Sequence, residues 1–507
     1  MHLQRNVLQY LENTAKLFPD KIAFADEKYS FTFSELLGFA EKAGTHIIKN
    51  KLHGRFAVVL VDRTAISVAG LMASLEAGLT YVPLDVKMPA ERLGAIIKRV
   101  SPAVILYSAK DKKYLDASSF SCPALSLEDS ASGDADHDLL SAAREKVLDI
   151  DPVYMIFTSG STGEPKGIPV SHRSVIDFTE WMTENCNVSS DDVLGNQAPF
   201  YFDLSVKDLY QTLAVGCTCH ILPKKAFMFP TLLIDALNNK KITTLIWATS
   251  AFRLAADSGV FDVKTPAYVK KVILGGEALQ ARHLNIWKKA LPECTFINLY
   301  GPTEVTVDCT MYKIDRDFSD GEAVPIGKAC RNMEVILLDE NLSPVPDGES
   351  GEICVRGIGL ALGYFADPEK TAASFIQNPQ NPYYPDRLYR TGDIAKFDEN
   401  GDLVFLCRRD GQIKHMGYRI ELGEIEAALM GIDGVENAVC FFDGDADYIV
   451  CCAQTKLDPA SLAARTKEKL PKYMTPNVWR TELTLPLNPN GTVDRVMLKE
   501  KYFSEKN

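Results

Sequence analysis

Three short apolar runs constrain this chain most. Residues 57–61 read Ala-Val-Val-Leu-Val, residues 103–107 Ala-Val-Ile-Leu-Tyr, and residues 153–157 Val-Tyr-Met-Ile-Phe. Unbroken apolar runs of this length are the pattern of a strand covered on both faces. Helical stretches separate them, among them an Ala-, Leu- and Met-rich segment that ends at Ala77. Strand, helix, strand in succession predicts parallel sheets buried beneath helices, an α/β fold.

At 507 residues the chain exceeds one ordinary core, so more than one domain is expected. The pattern changes after about residue 305 to short strands and turns, at residues 334–338, 351–356 and 403–406, which predicts a small β-rich part over 305–409. From Asp410 the sequence reads β, α, β, β, α, so 410–507 is expected to be a small α+β C-terminal domain after a large N-terminal domain, 1–409. Locally, residues 7–18 read as a helix, Ser34 as the N-cap of a helix starting at Glu35, and polar residues 127–142 as a surface loop. Hydrophobic residues make up 46% and charged residues 24%, the balance of a soluble globular protein. A net charge of −12 argues against nucleic acid as a partner, and no apolar run is long enough to span a bilayer. The N-terminus lacks the apolar core of a secretory signal. Twelve cysteines without zinc-type spacing are expected to be reduced thiols in a cytoplasmic protein.

The run 153–157 leads into Thr158-Ser159-Gly160-Ser161-Thr162-Gly163-Glu164-Pro165-Lys166-Gly167. Backbone N–H groups, hydroxyls and one ammonium in ten residues can wrap a polyphosphate. The Walker spacing fails, because Lys166 follows Pro165 and precedes Gly167. The dinucleotide fingerprint fails as well: Gly357 and Gly359 have their next glycine at Gly363, one position late. The extended piece Ile168-Pro169-Val170 follows, and Ser171 is placed to cap a helix running through Met182. The loop therefore joins strand to strand.

Further motifs accompany it in order. They are Leu75-Glu76-Ala77-Gly78-Leu79-Thr80-Tyr81-Val82-Pro83-Leu84-Asp85, Phe202-Asp203-Leu204-Ser205 and Asn298-Leu299-Tyr300-Gly301-Pro302-Thr303-Glu304. Tyr389-Arg390-Thr391-Gly392-Asp393, Arg408 to Lys414, Gly417 to Glu426 and Asn490-Gly491-Thr492-Val493-Asp494-Arg495 complete the series. Together they resemble the adenylate-forming enzymes, more narrowly the amino-acid adenylation domains of nonribosomal peptide synthetases, with stand-alone D-alanine–carrier protein ligases the closest-looking cousins.

The resemblance implies a ligase that joins a carboxylate to ATP, releases pyrophosphate and hands the acyl group to a thiol. It assigns Thr158 to Gly163 and Lys166 to the β- and γ-phosphates, Thr303 to the α-phosphate, and Glu304 to Mg²⁺. Asn298, Tyr300 and Gly301 fall to adenine, Asp393 and Arg408 to the ribose. The chemistry suits them: an amide offers two-way hydrogen bonding and an ionised carboxylate only accepts. Asp203 is assigned to the substrate's ammonium, with Leu204, Lys207, Ala251, Ile273, Gly275, Leu299, Val307 and Asp308 lining its pocket. D-alanine ligases usually carry an apolar residue in place of Lys207 and cysteine in place of Gly275. Lys207 and Asp308 either neutralise each other or one of them reads a polar substrate side chain. Asp410 is the expected hinge, and Lys414 and Gly417 the lining of a thiol channel.

One position departs from the family. Its last motif has lysine where this chain has Thr492. Without that charge, adenylation loses about 3–4 kcal/mol of transition-state stabilisation unless another cation replaces it. The resulting expectation is activation of a small amino acid with ATP and Mg²⁺, then transfer to the phosphopantetheine thiol of a carrier protein in trans or to coenzyme A. The rival readings are an acyl- or aryl-coenzyme A ligase, which Asp203 disfavours, and an adenylation-fold binding protein impaired at Thr492.

Overall fold

The computed structural model describes residues 4–50, 52, 54–116, 122–159, 165–346, 348–409, 412–486 and 493–506. The chain divides into two compact units. The first comprises Met1–Val86, Arg99–Phe157 and Gly167–Arg409; the second Lys87–Lys98, Thr158–Lys166 and Asp410–Asn507.

The apolar runs become strands, as expected: Phe56–Val61, Val104–Tyr107 and Pro152–Thr158. Phe56–Val61 pairs in parallel with Thr80–Asp85 and Val104–Tyr107 in a six-stranded sheet. A second sheet has nine strands, and six of them run parallel in the order Thr295–Tyr300, Lys271–Gly275, Thr244–Ala248, Val193–Asn196, Thr218–Ile221, Ile22–Ala25. Antiparallel strands close both of its edges. Beyond it, Met333–Leu338, Gly351–Gly357, Phe375–Gln377, Arg387–Phe397 and Leu403–Arg408 form an antiparallel five-stranded sheet. The α/β class expected from the apolar runs is the class observed. The helix Ala65–Glu76 is buried along its whole length, which explains its lack of a polar face.

Local readings differ in three places. The helix Phe33–Lys49 is capped by Thr32, not Ser34: Thr32 and Glu35 satisfy each other's backbone N–H groups in a capping box. Residues 127–142 are not a loop but two short helices, Leu127–Ser130 and His137–Arg144. Their polar residues serve as caps, Ser126 and Asp136, while Leu127 and Leu140 are buried. In the second unit two strands escaped the pattern. Gln412–His415 pairs with Tyr418–Glu421 as a hairpin, and Val478–Glu482 pairs in parallel with Tyr448–Thr455. Every residue of Val478–Glu482 is half-exposed, so it carries no apolar run to announce it.

The second unit packs Leu422–Met430, Pro459–Lys469 and Arg495–Lys506 with the strands Val435–Asp443, Tyr448–Thr455 and Val478–Glu482. No helix of the described residues is long and apolar enough to cross a membrane. The twelve cysteines are free thiols.

A buried acid in the first unit makes stability pH-dependent. Glu76 is 0% exposed, and neither of its carboxylate oxygens has a hydrogen-bond partner among the described residues. Arg144 Nη1 lies 3.4 Å from Oε2. Burial outweighs that cation and pushes the Glu76 pKa up to about 7. A carboxyl with a raised folded pKa takes up a proton on folding, so its contribution is lost as pH rises from the unfolded value through about 7. Glu76→Gln is therefore expected to raise stability by about 2 kcal/mol at pH 8 and to change it little at pH 4.5, where the wild-type acid is already neutral. Urea unfolding at the two pH values measures the difference.

Candidate functional site

In an open parallel sheet, ligands bind beyond the carboxyl ends of the strands. Gly275 and Tyr300 end the strands Lys271–Gly275 and Thr295–Tyr300, and Ala251 opens the helix that follows Thr244–Ala248. Gly301 then reverses the chain. A Cβ there would stand 2.5 Å from the Asp308 Cα, so only glycine lets Thr295–Tyr300 fold back onto Thr310–Lys313. Between them Thr306 and Val307 adopt φ of 61° and 74°. Left-handed backbone at β-branched residues costs about 1–2 kcal/mol each. The strained turn closes with Asp308 N–H on the Thr306 carbonyl at 3.0 Å and so delivers Asp308.

Asp308 meets Lys207. Lys207 Nζ donates to Asp308 Oδ2 at 2.8 Å, and the two side chains are 0% and 1% exposed. Of the two options for these residues, mutual neutralisation is the arrangement observed. Asp208, the next residue, is fully buried as well. Its burial raises its pKa to about 7 against the opposing hydrogen bond from Asn196 Nδ2. A Cβ on Gly275 would lie 3.2 Å from both Asp308 Oδ1 and Lys207 Nζ and 3.3 Å from the Leu299 carbonyl. Ile273, Leu299 and Val307 are buried on the same strands and the turn that follows, and Leu204, buried just before the helix Ser205–Val215, lies 3.3 Å from where a Cβ on Gly276 would stand. Ala251 instead packs in the core around Trp247 and Trp287.

Asp203, 7% exposed, accepts the Thr303 hydroxyl at 2.5 Å. The motifs assign Thr303 to a phosphate; here its hydroxyl points to the buried carboxylate. Glu304 is fully buried, and its Oε1 accepts the Tyr364 hydroxyl at 2.9 Å. Asp393 is held on both oxygens, by Tyr300 Oη at 2.5 Å and Arg408 Nη1 at 2.6 Å. Burial, reinforced by Asp393, pushes the Tyr300 phenol well above its ordinary pKa, which keeps it the donor. Asn298 donates from Nδ2 to the Pro325 carbonyl at 2.8 Å, while its buried Oδ1 has no partner among the described residues. An orphaned buried acceptor in a strand end suits the exocyclic amine of an adenine.

These groups are of the kind a nucleotide takes: an orphaned amide oxygen in the strand Thr295–Tyr300, a carboxylate held on both oxygens in Arg387–Phe397, and a second carboxylate in the turn after Tyr300. The family of AMP-binding enzymes matches residues 11–365. The chain belongs to that family. This AMP-binding enzyme is 33% identical over 515 residues to the dimodular nonribosomal peptide synthase of Bacillus subtilis (strain 168), an alignment covering 98% of this chain and 22% of that protein. It is also 32% identical over 496 residues to zwittermicin A synthase ZmaJ of Bacillus cereus, covering 95% of this chain and 92% of that one. The chain thus spans only 22% of the first relative's length and nearly all of the second's. Among solved structures it resembles holo-PA1221, an NRPS protein containing adenylation and PCP domains bound to a vinylsulfonamide inhibitor. The TM-score is 0.82 at 25% identity, covering 98% of this chain and 84% of that one. The chain is an adenylate-forming, ligase-type enzyme of the NRPS adenylation kind, a class that uses ATP.

Among the described residues no three His, Cys, Asp or Glu side chains converge as a metal cluster. Mg²⁺ at a nucleotide takes one or two carboxylates with phosphate oxygens and water, so a single carboxylate such as Glu304 has the chemistry that would hold it. When bound, the ion neutralises phosphate charge.

In the second unit, Thr158 Oγ1 is buried without a hydrogen-bond partner among the described residues, and Lys166, 5% exposed, opens the strand Lys166–Ser171. Ser159 Oγ donates to the Arg419 carbonyl at 2.7 Å and accepts from the Glu421 N–H at 3.1 Å. Lys414 lies in the strand Gln412–His415. Gly417 has φ of 81° and Met416 of 53°, the two left-handed positions of a two-residue hairpin turn. The turn itself therefore demands glycine at 417. Gly160, Ser161, Thr162, Gly163, Asp410 and Thr492 lie outside the described residues. The motifs pass over Tyr364, which holds Glu304, since no pattern marks a lone tyrosine as a carboxylate's partner.

Proposed function

We propose that this chain activates a small amino acid. The amino acid carboxylate attacks the α-phosphorus of ATP, giving aminoacyl-adenylate and pyrophosphate. A thiol, the phosphopantetheine arm of a carrier protein in trans, then takes the aminoacyl group and AMP leaves. Buried Asp203 carries the reading: it sits against Thr303, one residue from Glu304, and matches a substrate ammonium. An acyl or aryl acid has no such charge to offer. Small size is supported by the Lys207–Asp308 pair, whose charged atoms lie 3.2 Å from where a Cβ on Gly275 would stand. The carrier arm is favoured as thiol donor by the PCP domain that accompanies adenylation in PA1221.

The test is ATP–pyrophosphate exchange across the amino acids, with this protein and with Thr492→Lys. A small amino acid is expected to stimulate exchange, and Thr492→Lys to raise the rate about 10²-fold by restoring one transition-state cation. Silence of both proteins with every amino acid would refute the proposal. Exchange with an aryl or fatty acid and no amino acid would move the chain to the coenzyme A ligases.

A further inference from the structure

Beside the turn that carries Asp393 lies a buried carboxylate, Glu352, which none of the motifs quoted above includes. Opposite the strand Gly351–Gly357, Glu352 pairs with Ile394 and Cys354 with Arg390. Thr391, Gly392 and Asp393 therefore all bulge out opposite Ile353. A bulge leaves backbone groups unpaired and redirects a side chain, which is why bulges collect at functional sites. Here four backbone groups at the bulge are caught. Thr391 Oγ1 donates to the Ile353 carbonyl at 2.8 Å and accepts the Asp393 N–H at 3.0 Å. The Gly392 N–H donates to Glu352 Oε1 at 3.0 Å, and the Gly392 carbonyl accepts from Arg409 N–H at 2.9 Å. Gly392 has φ of 76°, which the bulge requires.

Glu352 binds this bulge to its surroundings. Its side chain is 3% exposed. Oε2 accepts Arg390 Nε at 3.1 Å and Nη2 at 2.7 Å, and Arg409 Nη1 lies 3.4 Å away. One buried carboxylate thus ties the residue before the bulge, Arg390, to Gly392 within it and to Arg409, the last residue of the first unit. Asp393 itself does not touch Glu352; its oxygens go to Tyr300 and Arg408.

We infer that Glu352 is a positioning residue: it fixes the Thr391–Asp393 bulge so that Asp393 can hold the two hydroxyls of a nucleotide's ribose. The inference rests on the ATP-dependent activation proposed above and on the ribose role that the family resemblance implies for Asp393. A misdirected bulge weakens recognition of the diol while leaving the amino-acid pocket untouched.

The experiment compares binding of ATP and 2′,3′-dideoxy-ATP by titration calorimetry to the full chain, with Glu352→Gln as the variant. Wild type is expected to prefer ATP by at least tenfold, and Glu352→Gln to reduce that preference to threefold or less with the amino acid KM within twofold. Glu334→Gln, which breaks a half-exposed pair with Arg356 on the neighbouring strand, controls for general loosening and is expected to keep the preference. If Glu352→Gln does not fold, Arg390→Lys decides, with an expected threefold loss of preference. An undiminished preference in a folded Glu352→Gln protein overturns the inference alone. A wild type that binds both nucleotides equally overturns the nucleotide reading of Asp393, and the inference with it.

Discussion

Asp203→Asn is expected to lower amino-acid-dependent exchange by about 10³-fold, with the loss in the amino acid's KM and not in that for ATP. The substitution keeps an oxygen to accept the Thr303 hydroxyl, so the local fold has its acceptor. What it removes is a charge, at a side chain only 7% exposed. An ammonium brought to that place without its counter-ion is a buried, uncompensated charge, a loss of about 3–5 kcal/mol. At 1.36 kcal/mol per decade this is two to four orders of magnitude. The split between the two KM values separates this cause from general damage, which would disturb both. An unchanged amino acid KM would reduce Asp203 to an architectural role.

Lys207→Met is expected to destabilise the first unit by about 3 kcal/mol or more, because it strands Asp308 as an unpaired charge at 1% exposure. The double variant Lys207→Met with Asp308→Leu is expected to recover most of that loss. An ion pair and a well-packed apolar pair of similar volume differ little in a core, whereas a broken pair is costly. Urea unfolding of the two single variants and the double variant gives the coupling. In the exchange assay the double variant should keep a small amino acid as its substrate, since the pair closes the pocket and neutralises itself. A double variant as unstable as Lys207→Met alone would show that the pair is more than a neutral floor, and a changed amino-acid preference would make Lys207 or Asp308 a reader of the side chain.

How far the sequence carries depends on the kind of signal. The parallel sheets were legible because buried strands leave unbroken apolar runs such as 153–157, and Ser171 was legible as a cap because it accepts the Ser174 N–H. Asp203, Glu304 and Asp393 were singled out because their motifs occur together in order. The capping box at Thr32 was missed by two positions, since Thr32 and Ser34 have similar hydroxyls and only the backbone geometry distinguishes them. The strand Val478–Glu482 was missed because an exposed edge has no apolar alternation. Whether Lys207 and Asp308 meet depends on a turn at Thr306 and Val307 whose left-handed backbone β-branched residues do not advertise. Glu352 was invisible for a different reason: its work is done through the backbone of a bulge, and a bulge is a property of paired strands, not of either sequence alone.

The central claim is that this chain makes an aminoacyl-adenylate. The direct measurement is a single-turnover incubation of the protein with ATP and each small amino acid, followed by hydroxylamine trapping and mass spectrometry. The account predicts an aminoacyl hydroxamate from a small amino acid, formed with matching AMP, and absent when Asp203→Asn replaces the wild-type protein at the same substrate concentration. AMP without hydroxamate from any amino acid, or a hydroxamate formed only from an aryl or fatty acid, would contradict it.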